Sequence, residues 1–263
     1  MEDRIKKLYS PLFNEIYKWK LNSNKKTFVV GMQGTQGVGK TTICSYLIKK
    51  FAEINLNAVT VSIDDFYLTR KEQIELSKTG NPYLEERGYP GTHDIKLGEK
   101  TLLELTTSNG KTKVPSYDKS LYNGKGDRVK EEDWKTIETP VDIIILEGWM
   151  LGFTPKTNIE DPNLNLINQK LNEYYTWYKY IDAFIFLIPE EINYVMDWRV
   201  EAEENMKKSG KSGMTEEEAK RYTNKFIIAY KLYLPDLKSP ISGPVLKIKI
   251  GKDRMPCDNF GKS

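Results

Sequence analysis

Apolar residues along the chain follow two rhythms. Five short runs, TFVVGM (27–32), AVTVSI (58–63), VDIIILEG (141–148), DAFIFLI (182–188) and VLKIKI (245–250), are β-branched or aromatic. They alternate little, which predicts strands of a mostly parallel sheet buried on both faces. The last run does alternate, apolar against lysine, as a strand at or near an edge does. Between the first two runs, Ile43, Tyr46, Leu47 and Phe51 recur on one helical face. A strand–helix–strand unit follows, crossing over right-handedly. Ile5, Leu8, Leu12, Ile16 and Trp19 predict an amphipathic helix docked on the core and interrupted or begun afresh near Pro11.

From about 66 to 140 the periodicity weakens. Helices are predicted at RKEQIELSK (70–78) and LGEKTLLELTT (97–107), and the remainder reads as loops, notably 81–94 and 114–128. Loops of that length in a compact domain are functional or disordered. A further helical region spans Pro189 to Leu234 and breaks at KKSGKSGM (207–214), where Lys207, Lys208 and Lys211 are expected to face solvent. Thr69 with Glu72 and Thr215 with Glu218 have the spacing of capping boxes. The aromatic stretch NEYYTWYKY (172–180) reads as core rather than as an association surface. Together these elements predict one α/β domain over 1–263: a three-layer sandwich with a five-stranded, mostly parallel sheet, helices on both faces and a helical flap over about 190–234.

Charge and composition narrow the function. Forty basic and thirty-seven acidic side chains nearly cancel, so the clustered positive excess expected of a nucleic-acid binder is missing. The two cysteines, Cys44 and Cys257, stand far apart and form no zinc-type pair. No apolar run reaches the roughly 20 residues of a membrane span. The N-terminal segment lacks a signal-peptide core, and the cytoplasm is the expected compartment.

The chemistry begins where the first strand ends. Gly34, Thr35, Gln36, Gly37, Val38, Gly39, Lys40, Thr41 and Thr42 contain G-x-x-x-x-G-K-[ST] between an apolar run and an amphipathic helix. Glycines let backbone N–H groups converge on phosphate oxygens without a Cβ in the way, and the helix that follows offers its positive end to the same anion. This is the P-loop arrangement, and it predicts a bound ATP with Lys40 on the β- and γ-phosphates and Thr41 on Mg²⁺. A guanine-reading N-K-x-D is missing, because Asn24-Lys25 and Asn224-Lys225 both lack the later Asp.

Acids stand at two other strand ends. Asp64 and Asp65 follow the second run and Glu147 closes the third, positions that face the ligand crevice of a doubly wound sheet. Asp64 is the candidate for accepting an acceptor hydroxyl's proton, with Asp65 positioning it or the metal. A carboxylate after four aliphatic residues is costly unless paired or beside a cation, so Thr41, Glu147 and Asp64 form the candidate metal set.

The blocks GTQGVGKTT, SIDDFY, RGYPGTHD, VPSYDKSLYNGKGDR, LEGW and DWRVEAE, in this order, resemble the glycerate kinase family of plants and fungi. Related families phosphorylate ribulose phosphate, uridine and pantothenate. The resemblance covers about residues 5 to 256. It implies an ATP-dependent phosphotransferase with Mg²⁺, acting on an alcohol group of a small hydroxy acid, D-glycerate at its 3-hydroxyl by the family's name. It also implies that loops 80–130 bind the acceptor, with Asp65, Arg87, His93, Asp94, Tyr117 and Arg128 lining it and Lys119 in the block that closes over it. Arg199 matches the start of a lid, from which it would offset charge on the transferred group. Arg254 is expected to flank the adenine. His93, the only histidine, is left between a structural and a substrate-lining role. Two rivals stay open: an ATP-binding regulator without transfer activity, and a kinase for another metabolite. Neither nucleic acid nor membrane is expected as a partner.

Overall fold

The computed structural model of the chain describes residues 2–208 and 215–258. Lys211 therefore lies outside the described residues, while Lys207 and Lys208 are exposed as expected.

The helical elements are α1 (Glu2–Arg4), α2 (Ser10–Leu21), α3 (Lys40–Glu53), α4 (Arg70–Ser77), α5 (Ile95–Thr107), α6 (Pro162–Lys170), α7 (Tyr175–Tyr178), α8 (Tyr194–Lys208) and α9 (Glu216–Tyr233). The strands are β1 (Phe28–Gly34), β2 (Ala58–Ser62), β3 (Gly110–Val114), β4 (Tyr117–Asp118), β5 (Asp127–Arg128), β6 (Lys135–Thr139), β7 (Ile143–Gly148), β8 (Ala183–Pro189) and β9 (Val245–Ile250). Five of them form a parallel sheet in the order β2-β7-β1-β8-β9, with Val30 opposite Ile145 on one side and Ala183 on the other. Every residue of β1 is buried, as its uncharged sequence requires at the centre of a covered sheet.

The N-terminal helix shows how a single residue shapes its element. Pro11 has no N–H to donate, and the turn before it widens into a π-helix over Ile5–Tyr9, with the Ser10 amide bonded to Ile5 O. Leu8, Leu12 and Ile16 are buried against the core, as the spacing predicts. Both expected capping boxes are formed, at Thr69 and at Thr215. In the aromatic stretch, Tyr174, Trp177 and Tyr178 are buried and only Tyr175 is largely exposed. Gly98 makes room for Trp177: a Cβ there would lie 2.5 Å from the indole. Trp177 Nε1 donates to Ile95 O at 2.9 Å, so a bulky ring is buried with its polar atom satisfied.

Two expectations need correction. β2 is not buried on both faces; it is an edge strand with Thr60 exposed and Val59 half-buried. In the middle region both expected helices are present, as α4 and α5, but the remainder is not all loop. β3 and β6 form an antiparallel pair in which Thr112 faces Ile137 and Lys111 faces Glu138. Lysines and a glutamate on the open face of those strands mask their apolar half, which is too short to stand out as alternation. β4 and β5 form a second, two-residue pair that shapes 114–128 into a hairpin.

Candidate active site

β1 delivers the chain to a tight turn and α3 takes it away. Gly37 and Gly39 hold φ of 77° and 102°, the left-handed region that side chains rarely adopt. At Gly37 the requirement is also spatial: a Cβ would meet Trp198 Cβ at 2.6 Å. Lys40 folds over the turn, its Nζ donating to Gly34 O at 2.7 Å and lying 3.8 Å from a Glu147 carboxylate oxygen. Val38 is buried, anchoring the turn, while Thr41 and Thr42 expose their side chains on the first turn of α3. Distant elements brace the loop from behind. The Gln36 amide donates to Tyr230 Oη at 3.2 Å and Arg254 Nε donates to Gly37 O at 2.8 Å. Arg254 also lies 5.5 Å from the Trp198 ring, whose Nε1 donates to Lys252 O.

Glu147 emerges at the end of β7, in register with Met32 of β1 and Ser62 of β2. Burial pushes its pKa up, with the Asp64 charge adding and the Lys40 ammonium opposing. A cavity of about 310 Å³ adjoins it, lined by Thr41, Cys44, Ser45, Ile48 and Thr60. Burial, and then Glu147, push the Cys44 thiol up to about 12, which leaves it an inert packing group.

Asp64 lies two residues beyond β2, in a 3₁₀ turn over Ile63–Phe66 started by Ser62, whose hydroxyl accepts from the Asp64 amide. It does not cap α4, since Thr69 does. Its Oδ2 accepts a 2.6 Å hydrogen bond from Lys119 Nζ and Oδ1 is buried, with the Tyr67 hydroxyl also interacting with the carboxylate. Burial alone would raise this carboxyl; the charge and hydrogen bond of Lys119 outweigh it and hold the pKa at about 2. Asp65 turns the other way and accepts from the Tyr117 amide at 3.2 Å, tying the turn to the 114–128 hairpin. Burial raises its pKa.

The remaining candidates gather around this hairpin, several already engaged. Arg87 donates to the carbonyls of Gly124 and Lys125, and its guanidinium lies 5.6 Å from the Tyr117 ring. Asp94 caps α5 through Leu97 N and pairs with Arg128 at 3.3 Å. Arg128 also donates to Tyr67 O at 2.8 Å. His93 is 4% exposed, lies tilted with its ring centre 4.4 Å from that of Tyr67, and shares a 2.7 Å hydrogen bond between Nδ1 and Tyr174 Oη. Burial lowers its pKa to about 4, so the ring is neutral at physiological pH; its Nε2 has no protein partner. Arg199 pairs with Glu203 along α8 and lies 5.1 Å from the Tyr222 ring of α9. A second cavity of about 290 Å³ opens between 82–89 and α9, bordered by Glu86, Arg87, Tyr89, Tyr222 and Phe226. Glu86 there pairs with both Lys125 and Lys225.

Several contributors were not foreseen. Tyr230, Trp198 and Tyr174 come from helices far along the chain, and only their aromatic character at helical spacing hinted at burial. The Lys119–Asp64 pair had a weaker trace, a lysine inside the hairpin block.

A phosphate-cradling loop of this build, on a parallel sheet with acids at the neighbouring strand ends, defines a P-loop kinase. No protein-family model matches the chain. Individual relatives do. A D-glycerate 3-kinase, chloroplastic, of Arabidopsis thaliana is 40% identical over 256 residues, covering 91% of this chain and 56% of the relative. The uncharacterized kinase mug58 of Schizosaccharomyces pombe is 35% identical over 251 residues, covering 88% of this chain and 90% of the relative. The solved structure of D-glycerate 3-kinase from Cryptococcus neoformans superposes with a TM-score of 0.84 at 31% identity, over 97% of each chain. The chain belongs to this family, the glycerate-kinase-like P-loop kinases of plants and fungi. Among the described residues no helix is long and apolar enough to cross a membrane.

Proposed function

We propose that the protein transfers the γ-phosphoryl group of ATP to the 3-hydroxyl of D-glycerate. The observation that carries this reading is the convergence of Lys40, Glu147 and Asp64 on one end of the sheet, with the 114–128 hairpin supplying Lys119 from the opposite side. The names of the Arabidopsis and Cryptococcus relatives support the choice of acceptor.

In this reading the amides of residues 34–41 hold the phosphate tail and Lys40 neutralises its oxygens. Asp64 orients the acceptor hydroxyl and takes its proton as the new O–P bond forms. The bond to the β-phosphate breaks, and its electron pair leaves with ADP. Glu147 and Thr41 would hold Mg²⁺. A largely buried carboxylate near the Lys40 ammonium and the Ser62 hydroxyl, with an exposed threonine hydroxyl on the neighbouring helix, suits a hard cation. Among the described residues no group of three or more His, Cys, Asp or Glu could hold a metal ion. When bound, Mg²⁺ offsets charge on the β- and γ-oxygens. In this proposal His93, neutral and buried, would form part of the acceptor wall, with Asp65, Arg87, Asp94, Tyr117 and Arg128 shaping it. The α8–α9 pair is proposed as a lid carrying Arg199, and residues 1–263 as one catalytic unit. The cytosol is the proposed compartment; free Cys44 and Cys257 suit a reducing one.

A coupled ADP-release assay offering D-glycerate, pantothenate, uridine and ribulose 5-phosphate tests the proposal. Turnover with D-glycerate is expected, and silence toward all four would reject the reading.

A further inference from the structure

Among the residues that the resemblance places around the acceptor, three are cations: Arg87, Lys119 and Arg128. Two are committed. Arg87 holds the backbone of the hairpin tip at Gly124 and Lys125. Arg128 holds Tyr67 O and Asp94 from a largely buried position. Lys119 differs. Its side chain is 57% exposed, and its described partner is Asp64, at 2.6 Å. That contact occupies the carboxylate oxygen Oδ2, while Oδ1 is buried. The carboxylate oxygen that is not buried is therefore covered by an ammonium.

The hairpin that carries Lys119 is fixed at its root. Tyr117 pairs with Arg128 and its amide is held by Asp65; Asp118 accepts from the amide and hydroxyl of Ser120. Lys125 is tied to Glu86. With both flanks anchored, what can move is the four-carbon stem of Lys119, a flexible carrier of a point charge.

We propose that Lys119 is the acceptor-reading residue, and that it moves from the Asp64 carboxylate to the carboxylate of the incoming acid, uncovering Asp64 only when an acceptor is in place. The exchange replaces one ion pair with another, so the ammonium is never left without a counter-charge. It makes the carboxylate of the acceptor a requirement for turnover, and it keeps Asp64 from steering water at the γ-phosphate in the acceptor's absence. The inference rests on the proposed D-glycerate activity.

Lys119→Met keeps the stem and removes the charge at an exposed position. Steady-state kinetics of this variant should show a KM for D-glycerate raised about 10–100-fold, the range of a lost charge-assisted hydrogen bond, with the KM for ATP unchanged. The preference for D-glycerate over glycerol should fall, and ATP hydrolysis without acceptor should rise several-fold. Lys119→Arg should restore part of the D-glycerate affinity. Calorimetric binding of D-glycerate to the ADP-loaded protein gives the same comparison without turnover. An active wild type whose Lys119→Met variant keeps its KM and its glycerol discrimination would overturn this inference alone. Unchanged acceptor-free hydrolysis would overturn the masking of Asp64. A wild type silent toward D-glycerate would instead remove the substrate assignment, and this inference with it.

Discussion

The two halves of the site are built from different materials. On the nucleotide side the working parts are backbone: a glycine turn with two left-handed residues, closed by buried groups such as Trp198 and Tyr230. On the acceptor side they are side chains on loops, each held by a tether such as Glu86 to Lys125 and Lys225, or Arg87 to two carbonyls. Backbone geometry tolerates almost no substitution and looks alike in every protein that uses it. A wall of tethered side chains can be altered one residue at a time, which suits the acceptor-reading role proposed for it.

Substitutions can sharpen or break this contrast. The largest effects belong to the chemistry both sides share. Asp64→Asn should lower kcat about 10²–10⁴-fold, and Lys40→Ala should lower it on the order of 10³-fold, read in the coupled assay. An ATP-binding regulator without transfer activity would instead tolerate Asp64→Asn in a cellular assay and lose function only with Lys40→Ala.

Next comes pH, on the acceptor side. His93 titrates near 4 in the folded chain, lowered by burial from an ordinary 6.5. Between those values the unfolded chain binds the extra proton, so stability is present above 6.5 and is lost as pH falls toward 4. The loss is on the order of 3 kcal/mol, and His93→Gln should flatten that slope in urea titrations at stepped pH.

On the nucleotide side, Gly37→Ala should cost about 1–3 kcal/mol, because the new Cβ meets Trp198 and the backbone is strained. Nucleotide should then raise the melting temperature of this variant less than that of the wild type. Smallest is Glu86→Gln, which slackens the tethers at the rim. A KM for the acceptor raised a few-fold, with ATP unaffected, is the expected result; an equal change in both would dissolve the distinction between the halves.

What could be read in advance divides along the same line. The sheet, the P-loop and both capping boxes were visible because each depends on neighbours in the chain: a buried run, a glycine spacing, a threonine three residues before a glutamate. β2 was misjudged because a run of aliphatic residues does not show which strand ends at the sheet's edge. β3 and β6 escaped because their pairing spans more than twenty residues and their open faces are charged. Among the site candidates, Lys40 could be named from the glycine spacing, and Asp64 and Glu147 from their places at strand ends. Asp94 and Arg128 were named as acceptor-lining candidates, but their engagement with a helix cap and with each other depends on the folded hairpin. The contact of Lys119 with Asp64 bridges 55 positions, beyond any local pattern.

The bond from Arg254 to Gly37 spans 217 positions. Synthesis runs from the N-terminus, so the glycine turn leaves the ribosome long before the arginine that fastens it. Until β9 docks and brings Arg254 across the sheet, a nascent chain carries the turn without its clasp, so the fastening of the glycine turn trails its synthesis by 217 positions.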